Sequence, residues 1–409
     1  MIDSARFRIV VLTICHISGT LQSVSVWAMA PLVRAELELS AGQFGWLVSA
    51  YYGAQIVCAF PAGALADRIG VGRSLIVAML ILTCGAVALS MASMMEVALF
   101  AMALMGVGYS IVNPATARGV LNWIPSGYRA TAMGVKQTGV PLGGVLAAFN
   151  GVLATAFGWR VMMVFAAACT VVTILLLLPL LRIPRKAVDR GPLLPWNELR
   201  DVITNSNIRV FANANALLQI GQGNFFAYLT LFLRDVGQTS QTFASLCLGL
   251  AQLTSATGRI GWGVLCDRFF QYRRTTLLTV ICVVAAIGLM AMALINEANA
   301  HVLALLLSAI LGVTIASFAG MTLTIASEVA TPERAATTVG FNLMMVSVGG
   351  VIGPPLFGYS MDYLGGYTAG WLVTGTAVAV AVYMLRFIFV EALGSQREKS
   401  VERSRLATD

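Results

Sequence analysis

The chain has 409 residues, 58% of them hydrophobic and 11% charged, with a mean hydropathy of +0.83. A water-soluble fold of this length has too little interior to hide so much apolar side chain, so the bilayer is its main solvent. The net charge of +8 does not imply a nucleic-acid partner, because the basic residues sit in short connections beside apolar runs and not on one face of a soluble domain.

Runs long enough to cross a hydrocarbon core of about 30 Å are predicted at 8–33, 42–66, 73–94, 96–122, 130–156 and 160–181. Six more follow at 209–233, 242–266, 275–296, 301–327, 337–361 and 369–391. They run without polar alternation, so they are helices and not barrel strands, each bonding its backbone internally. The predicted fold is all-α integral membrane, with twelve transmembrane helices and both termini on one side. Arg6, Arg8 and the triplet Ala28-Met29-Ala30 imitate a cleavable leader, but Pro31 would follow the cut and the first half would lose a helix. The segment is expected to remain. The seven cysteines have no paired spacing, and neither a disulfide framework, a metal nor a cofactor is expected.

Basic residues crowd the even-numbered connections and tails: Arg68, Arg73, Arg129, the run from Arg182 to Arg209, Arg268, Arg273, Arg274, Arg334 and the C-terminal Arg397 to Arg405. Lys and Arg near span ends resist translocation, which predicts cytoplasmic termini in a bacterial inner membrane. The stretch 182–207, with Pro184, Pro192 and Pro195, is the longest polar connection. The predicted organisation is a bundle over 1–181, a linker over 182–207, a bundle over 208–392 and a tail over 393–409.

The sequence repeats across that linker. Gln22, Arg34, Gly63, Leu65, Asp67 and Arg68 recur as Gln222, Arg234, Gly263, Leu265, Asp267 and Arg268, all displaced by 200 positions. Arg129 corresponds to Arg334 and the pair Gly143-Gly144 to Gly349-Gly350, displaced by 205 and 206. Related halves place a site between them.

Gly63-Ala64-Leu65-Ala66-Asp67-Arg68-Ile69-Gly70, followed by Arg73 and echoed by Gly263-Val264-Leu265-Cys266-Asp267-Arg268, resembles the GxLADRxG loop signature of the major facilitator superfamily. The resemblance covers essentially the whole chain and implies two pseudo-symmetric six-helix bundles. It also implies that Gly63, Asp67 and Arg68, with Gly263, Asp267, Arg268, Arg129 and Arg334, form cytoplasmic latches that stabilise an outward-facing state. Met102 stands where drug antiporters of this superfamily carry an arginine, which argues against proton-driven drug export. The glycines and prolines of the fifth and eleventh spans serve either close packing or a rocking hinge.

Charges at membrane depth are costly unless paired or hydrated, and each is therefore a candidate site. Arg118, Lys136 and Arg259 lie about 10–12 Å inside their spans at 1.5 Å per residue. Arg118 either snorkels to headgroups or belongs to the segment from Asn113-Pro114 to Arg129, which resembles anion:cation symporters. Lys136 maps by symmetry onto the neutral Asn342, and Arg259 onto Ala59, so only one half carries each charge. Lys136 is a point charge for a carboxylate, and guanidinium holds a carboxylate bidentately. Monocarboxylate carriers, which the eighth span resembles, place an arginine similarly. Nitrate porters also carry one on the second helix, which is absent here.

Gln22, Gln222, Asn113, Gln137, Tyr52, Asn224 and Tyr228 complete the candidate pocket, or each bonds one packed helix to another. No Asp or Glu lies in the middle third of any span, so a coupled proton requires His16 or Lys136 to titrate. His16 is otherwise a packing donor. The function predicted is a secondary active transporter, a monomer moving a small organic anion, a carboxylate in class, by alternating access with proton symport. The rival is an exporter of neutral or amphipathic compounds through a Met- and Phe-lined pocket. Neither HExxH, GxSxG nor a phosphate loop supports an enzyme.

Overall fold

The computed structural model describes residues 5–125, 128–183, 196–270, 273–329, 334–364 and 366–391. The side chains of Gly63 and Asp67, most of the proline-rich linker and the tail lie outside them. Fifteen α-helices are described, and each of the twelve predicted spans overlaps one or two of them.

In the first half these are α1 (Ala5–Ala28), α2 (Ala30–Glu36), α3 (Ala41–Ile69), α4 (Val71–Ser90), α5 (Met95–Trp123), α6 (Arg129–Phe157) and α7 (Trp159–Leu177). The linker contains α8 (Trp196–Thr204), and the second half α9 (Ser206–Asp235), α10 (Gln241–Phe269), α11 (Arg274–Ala291), α12 (Ala300–Val313), α13 (Ala319–Val329), α14 (Ala335–Tyr363) and α15 (Tyr367–Tyr383). Among the described residues, nine helices are long and apolar enough to cross a membrane. The 29-residue α3 and α10 reach about 43 Å. Large apolar side chains such as Phe100, Phe149, Leu175, Val302 and Phe387 are exposed around the bundle, a belt that only lipid would cover.

Two predicted spans are interrupted. The first divides at Met29 into α1 and α2, where Pro31 opens the second piece. The tenth, read from sequence as one helix over 301–327, breaks between α12 and α13 with turns over residues 314–318. Neither Gly nor Pro occupies those five positions. The side chains bonding the freed carbonyls belong to α9, α10 and the turn itself. Gln222 Nε2 donates to Ile315 O at 3.0 Å, Ser255 Oγ to Ala316 O at 2.8 Å and Trp262 Nε1 to Val313 O at 2.6 Å. This is how a helix breaks at membrane depth without orphaned backbone.

The halves meet at the end away from the termini. Asp362 Oδ2 accepts from Gly42 N at 2.8 Å and Ser40 Oγ at 2.9 Å, and Oδ1 from Ala41 N at 3.2 Å. Arg34 pairs with Asp235 at 3.2 Å, and Trp46 Nε1 donates to Tyr359 Oη at 2.8 Å. Tyr228 Oη is bonded to Ala41 O at 2.9 Å, Gln241 Nε2 to Ala28 O at 2.7 Å and Ser49 Oγ to Val351 O at 2.5 Å. A Cβ added at Gly45 would sit 2.6 Å from Pro354 O, so α3 and α14 cross there in backbone contact.

Toward the termini no such contact is found among the described residues. Gly340 lies eighteen residues from Gly358 and so, about five turns later, on the same face; Gly358 abuts Ala41 across the halves, whereas Gly340 has nothing within 4 Å. Gly263 stands in the same relation to Ser245, which meets Gly151 of α6. The pairs α3/α14 and α6/α10 therefore close at the far end and splay at the terminus-bearing end.

Candidate substrate site

Where the seams part, α1, α5 and α6 bring together part of the predicted site. Lys136 is only 2% exposed and donates to Thr116 Oγ1 at 3.1 Å and Asn113 Oδ1 at 3.5 Å. Gln137 Nε2 donates to the same Asn113 oxygen at 3.4 Å. His16 Nε2 lies 2.9 Å from Thr116 Oγ1, and Nδ1 is buried without a partner. Small residues permit the assembly, since Gly139 lets α6 lie against Thr13, His16 and Ile17 of α1. Among the described residues no carboxylate pairs with Lys136 or Arg259.

Arg259 is half-buried on α10; its Nη2 reaches Ala316 O in the broken span at 3.4 Å, and Nε is buried without a partner. It lies within electrostatic reach of His16 and of Tyr109. Tyr109 belongs to an aromatic wall with Tyr51 and Tyr52, at ring separations of 6.1 Å and 5.3 Å from Tyr51. Tyr52 Oη accepts from Gln219 Nε2 at 3.2 Å, a bond across the halves. Arg118 is half-buried and has a partner.

Four predicted pocket residues are used otherwise. Gln22 and Gln222, matched in sequence, do not form a matched pair: Gln22 is buried and donates to Thr170 of α7 at 2.7 Å, while Gln222 holds the broken span. Asn224 is buried against Thr374 of α15 at 2.9 Å, and Tyr228 is part of the far-end closure. Each side chain bonds a packed neighbour. Asn342, the counterpart of Lys136, is buried and accepts from Asn215 of α9 at 2.8 Å. In the second half this position thus bonds the first span of its bundle, whereas Lys136 bonds the fourth span and shares the Thr116 hydroxyl with His16 of the first.

Of the predicted latch residues, Arg129 and Arg334 take local roles among the described residues. Arg129 closes the end of α5 through Leu121 O at 2.9 Å and Ile124 O at 3.2 Å, whereas Arg334 pairs with Asp201 of the linker helix at 2.6 Å. Arg274 joins Asp267 at 3.6 Å to Glu328 at 3.3 Å, within one half. Arg268 lies over Phe269, and Arg68 is exposed.

A multi-pass helical membrane protein with two bundles closed at one end around a polar, cationic centre is a secondary transporter. The Major Facilitator Superfamily model matches residues 12–338 and 298–408. The chain belongs to that family. It is 24% identical to the hexuronate transporter of Bacillus subtilis, over 88% of this chain and 89% of that one. It is also 24% identical to the probable sulfoacetate transporter SauU of Cupriavidus necator, over 92% of each. Monocarboxylate transporter 11 of Homo sapiens is 26% identical over 85% of this chain and 75% of its own length. Among solved structures, the inward-facing, unoccupied bacterial homologue of the human lysosomal transporter Spinster superposes with a TM-score of 0.78 at 17% identity, covering 93% and 97% of the two chains. The nucleoside transporter NupG gives 0.77 at 14% identity, covering 94% and 100%. At these identities the structural likeness concerns the fold.

Thr116, Tyr109, Gln219 and the far-end Asp362 escaped the sequence reading. Asp362 carried one signal, a lone carboxylate at a span end on the side where basic residues are few.

Proposed function

We propose that the protein carries a small organic anion, a carboxylate or sulfonate, by alternating access, with Lys136 and Arg259 countering its charge and Asn113, Gln137 and Tyr52 lining its path. The observation that carries this reading is a buried ammonium and a half-buried guanidinium in one central region without a carboxylate partner among the described residues. Unpaired cations at membrane depth favour an anionic guest. The names of the relatives, covering hexuronate, sulfoacetate and monocarboxylates, support the same class. Lys136 turns toward Thr116 and not toward a headgroup, which weighs against the amphipathic exporter.

The same arrangement supports proton symport. An anion beside Lys136 raises the affinity of its amine for a proton, and by reciprocity the proton raises affinity for the anion. The basic bias of the connections supports a cytoplasmic location for the termini and the splayed end in a bacterial cell, and on that reading this is an inward-facing state, with a monomer as the proposed unit. Residues 1–181 and 208–392 are the rocking units, joined by 182–207.

The test is uptake of glucuronate, sulfoacetate and lactate into proteoliposomes, with and without an inward proton gradient. Lys136→Ala and Arg259→Ala are each expected to lose uptake of whichever probe wild type carries, with Lys136→Arg separating charge from packing. Full uptake by both alanine variants would end the proposal.

A further inference from the structure

His16 poses a problem of access. It is 0% exposed, so a proton reaching it from water has to be handed on by another group. The described structure offers one such chain: Lys136 Nζ to Thr116 Oγ1 at 3.1 Å, and Thr116 Oγ1 to His16 Nε2 at 2.9 Å. We propose that Thr116 is the relay residue through which Lys136 and His16 exchange a proton, deepening the proposed symport and resting on Lys136 as its proton-bearing group.

A hydroxyl both donates and accepts. Thr116 has three destinations for its hydrogen, Val112 O at 2.7 Å, His16 Nε2 at 2.9 Å and Asn113 O at 3.1 Å. In the second orientation the ammonium of Lys136 gives a proton to Oγ1 as Thr116 passes its own hydrogen to Nε2. The step leaves a neutral amine, an intact hydroxyl and an imidazolium, and it needs no other reactant. His16 Nδ1 has no partner, so no second bond fixes the tautomer against this transfer. The groups facing His16 are Lys136 from α6 and Arg259 from α10, with Tyr109 of α5 one turn along against Gly19 and Thr20. With Lys136 neutralised, Arg259 is the remaining cation opposing the imidazolium, and an anion bound to Arg259 offsets it. Proton storage on His16 and anion occupancy are thereby linked.

The experiment uses the full chain in nanodiscs with ¹⁵N-labelled histidine. The sequence has two histidines, and His301→Gln assigns the spectrum. Solvent exchange of the His16 ring proton is measured in wild type, Thr116→Val, Thr116→Ser and Lys136→Met, with thermal unfolding as the fold control. Thr116→Val and Lys136→Met are expected to slow exchange at least about tenfold, and Thr116→Ser to restore it, as the loss and return of a positioned transfer group would. Unchanged exchange in Thr116→Val overturns the relay, as does equal slowing in Thr116→Ser, which would indicate packing. Thr116→Ala replaces the valine variant should that fail to fold. If Thr116→Val slows exchange but Lys136→Met does not, the path bypasses Lys136 and the relay is refuted. Loss of anion uptake in Lys136→Ala with unaltered His16 exchange would end the relay while leaving the anion reading intact.

Discussion

Asp362 holds the far-end closure through three donors from the start of α3, and replacing it with alanine should tilt the transporter toward the opposite state. The bonds exist only while the halves meet there, so their free energy stabilises this state selectively. A carboxylate accepting from Gly42 N, Ser40 Oγ and Ala41 N also faces the positive end of the α3 dipole. Because Asp362 is exposed, water competes for it, and a net contribution of about 2 kcal/mol is appropriate. That corresponds to a shift of about 30-fold in the equilibrium. An opposite-state population of about 3% would become about one half. Spin labels at Met94 and Leu294, both exposed in far-end connections of different halves, report the distance by electron–electron resonance in a cysteine-free background. Asp362→Ala should populate a longer distance, and Asp362→Asn, retaining one acceptor, less of it. An unchanged distance distribution in Asp362→Ala would refute the assignment of these bonds as a closure.

The splayed seam predicts a contrast between glycines. Leucine at Gly263 or Gly340 meets open space in this state and should leave thermal stability nearly unchanged while slowing transport by obstructing closure of the terminus-bearing end. Alanine at Gly349, which abuts Ala216 O, should lower the melting temperature, as measured by thermal unfolding in detergent. Arg160 holds the Glu36 carboxyl below the usual range, with Trp159 adding a second bond. A depressed carboxylate contributes stability that is present above its ordinary value of 4.5 and lost as pH falls through the lowered one. Unfolding followed from pH 7 downward should therefore show a larger loss below about pH 4.5 in wild type than in Glu36→Gln.

The spans were legible because a hydrocarbon core demands long apolar runs, and the cationic centre because charge is rare at that depth. What sequence could not supply was helix rotation. Gln22 and Gln222 share an offset but face different neighbours, and Thr116 is an ordinary residue until crossing angles set it between His16 and Lys136. The broken tenth span was hidden for another reason. Its turn is supported by Gln222, Ser255 and Trp262 from distant helices, while its own residues carry no breaker. Arg129 looked like a latch from its repeat partner, yet the two arginines serve unrelated local bonds here.

That break also bears on how the chain is made. α12 has 14 residues and α13 has 11, lengths of about 21 Å and 16 Å, so neither piece crosses the bilayer alone. The carbonyls of Ile315 and Ala316 take their side-chain donors from α9 and α10. The tenth span therefore completes its break against α9 and α10, which are synthesised before it, and a chain in which either failed to pack there would present the Ile315 and Ala316 carbonyls unsatisfied at membrane depth and be a target for membrane quality control.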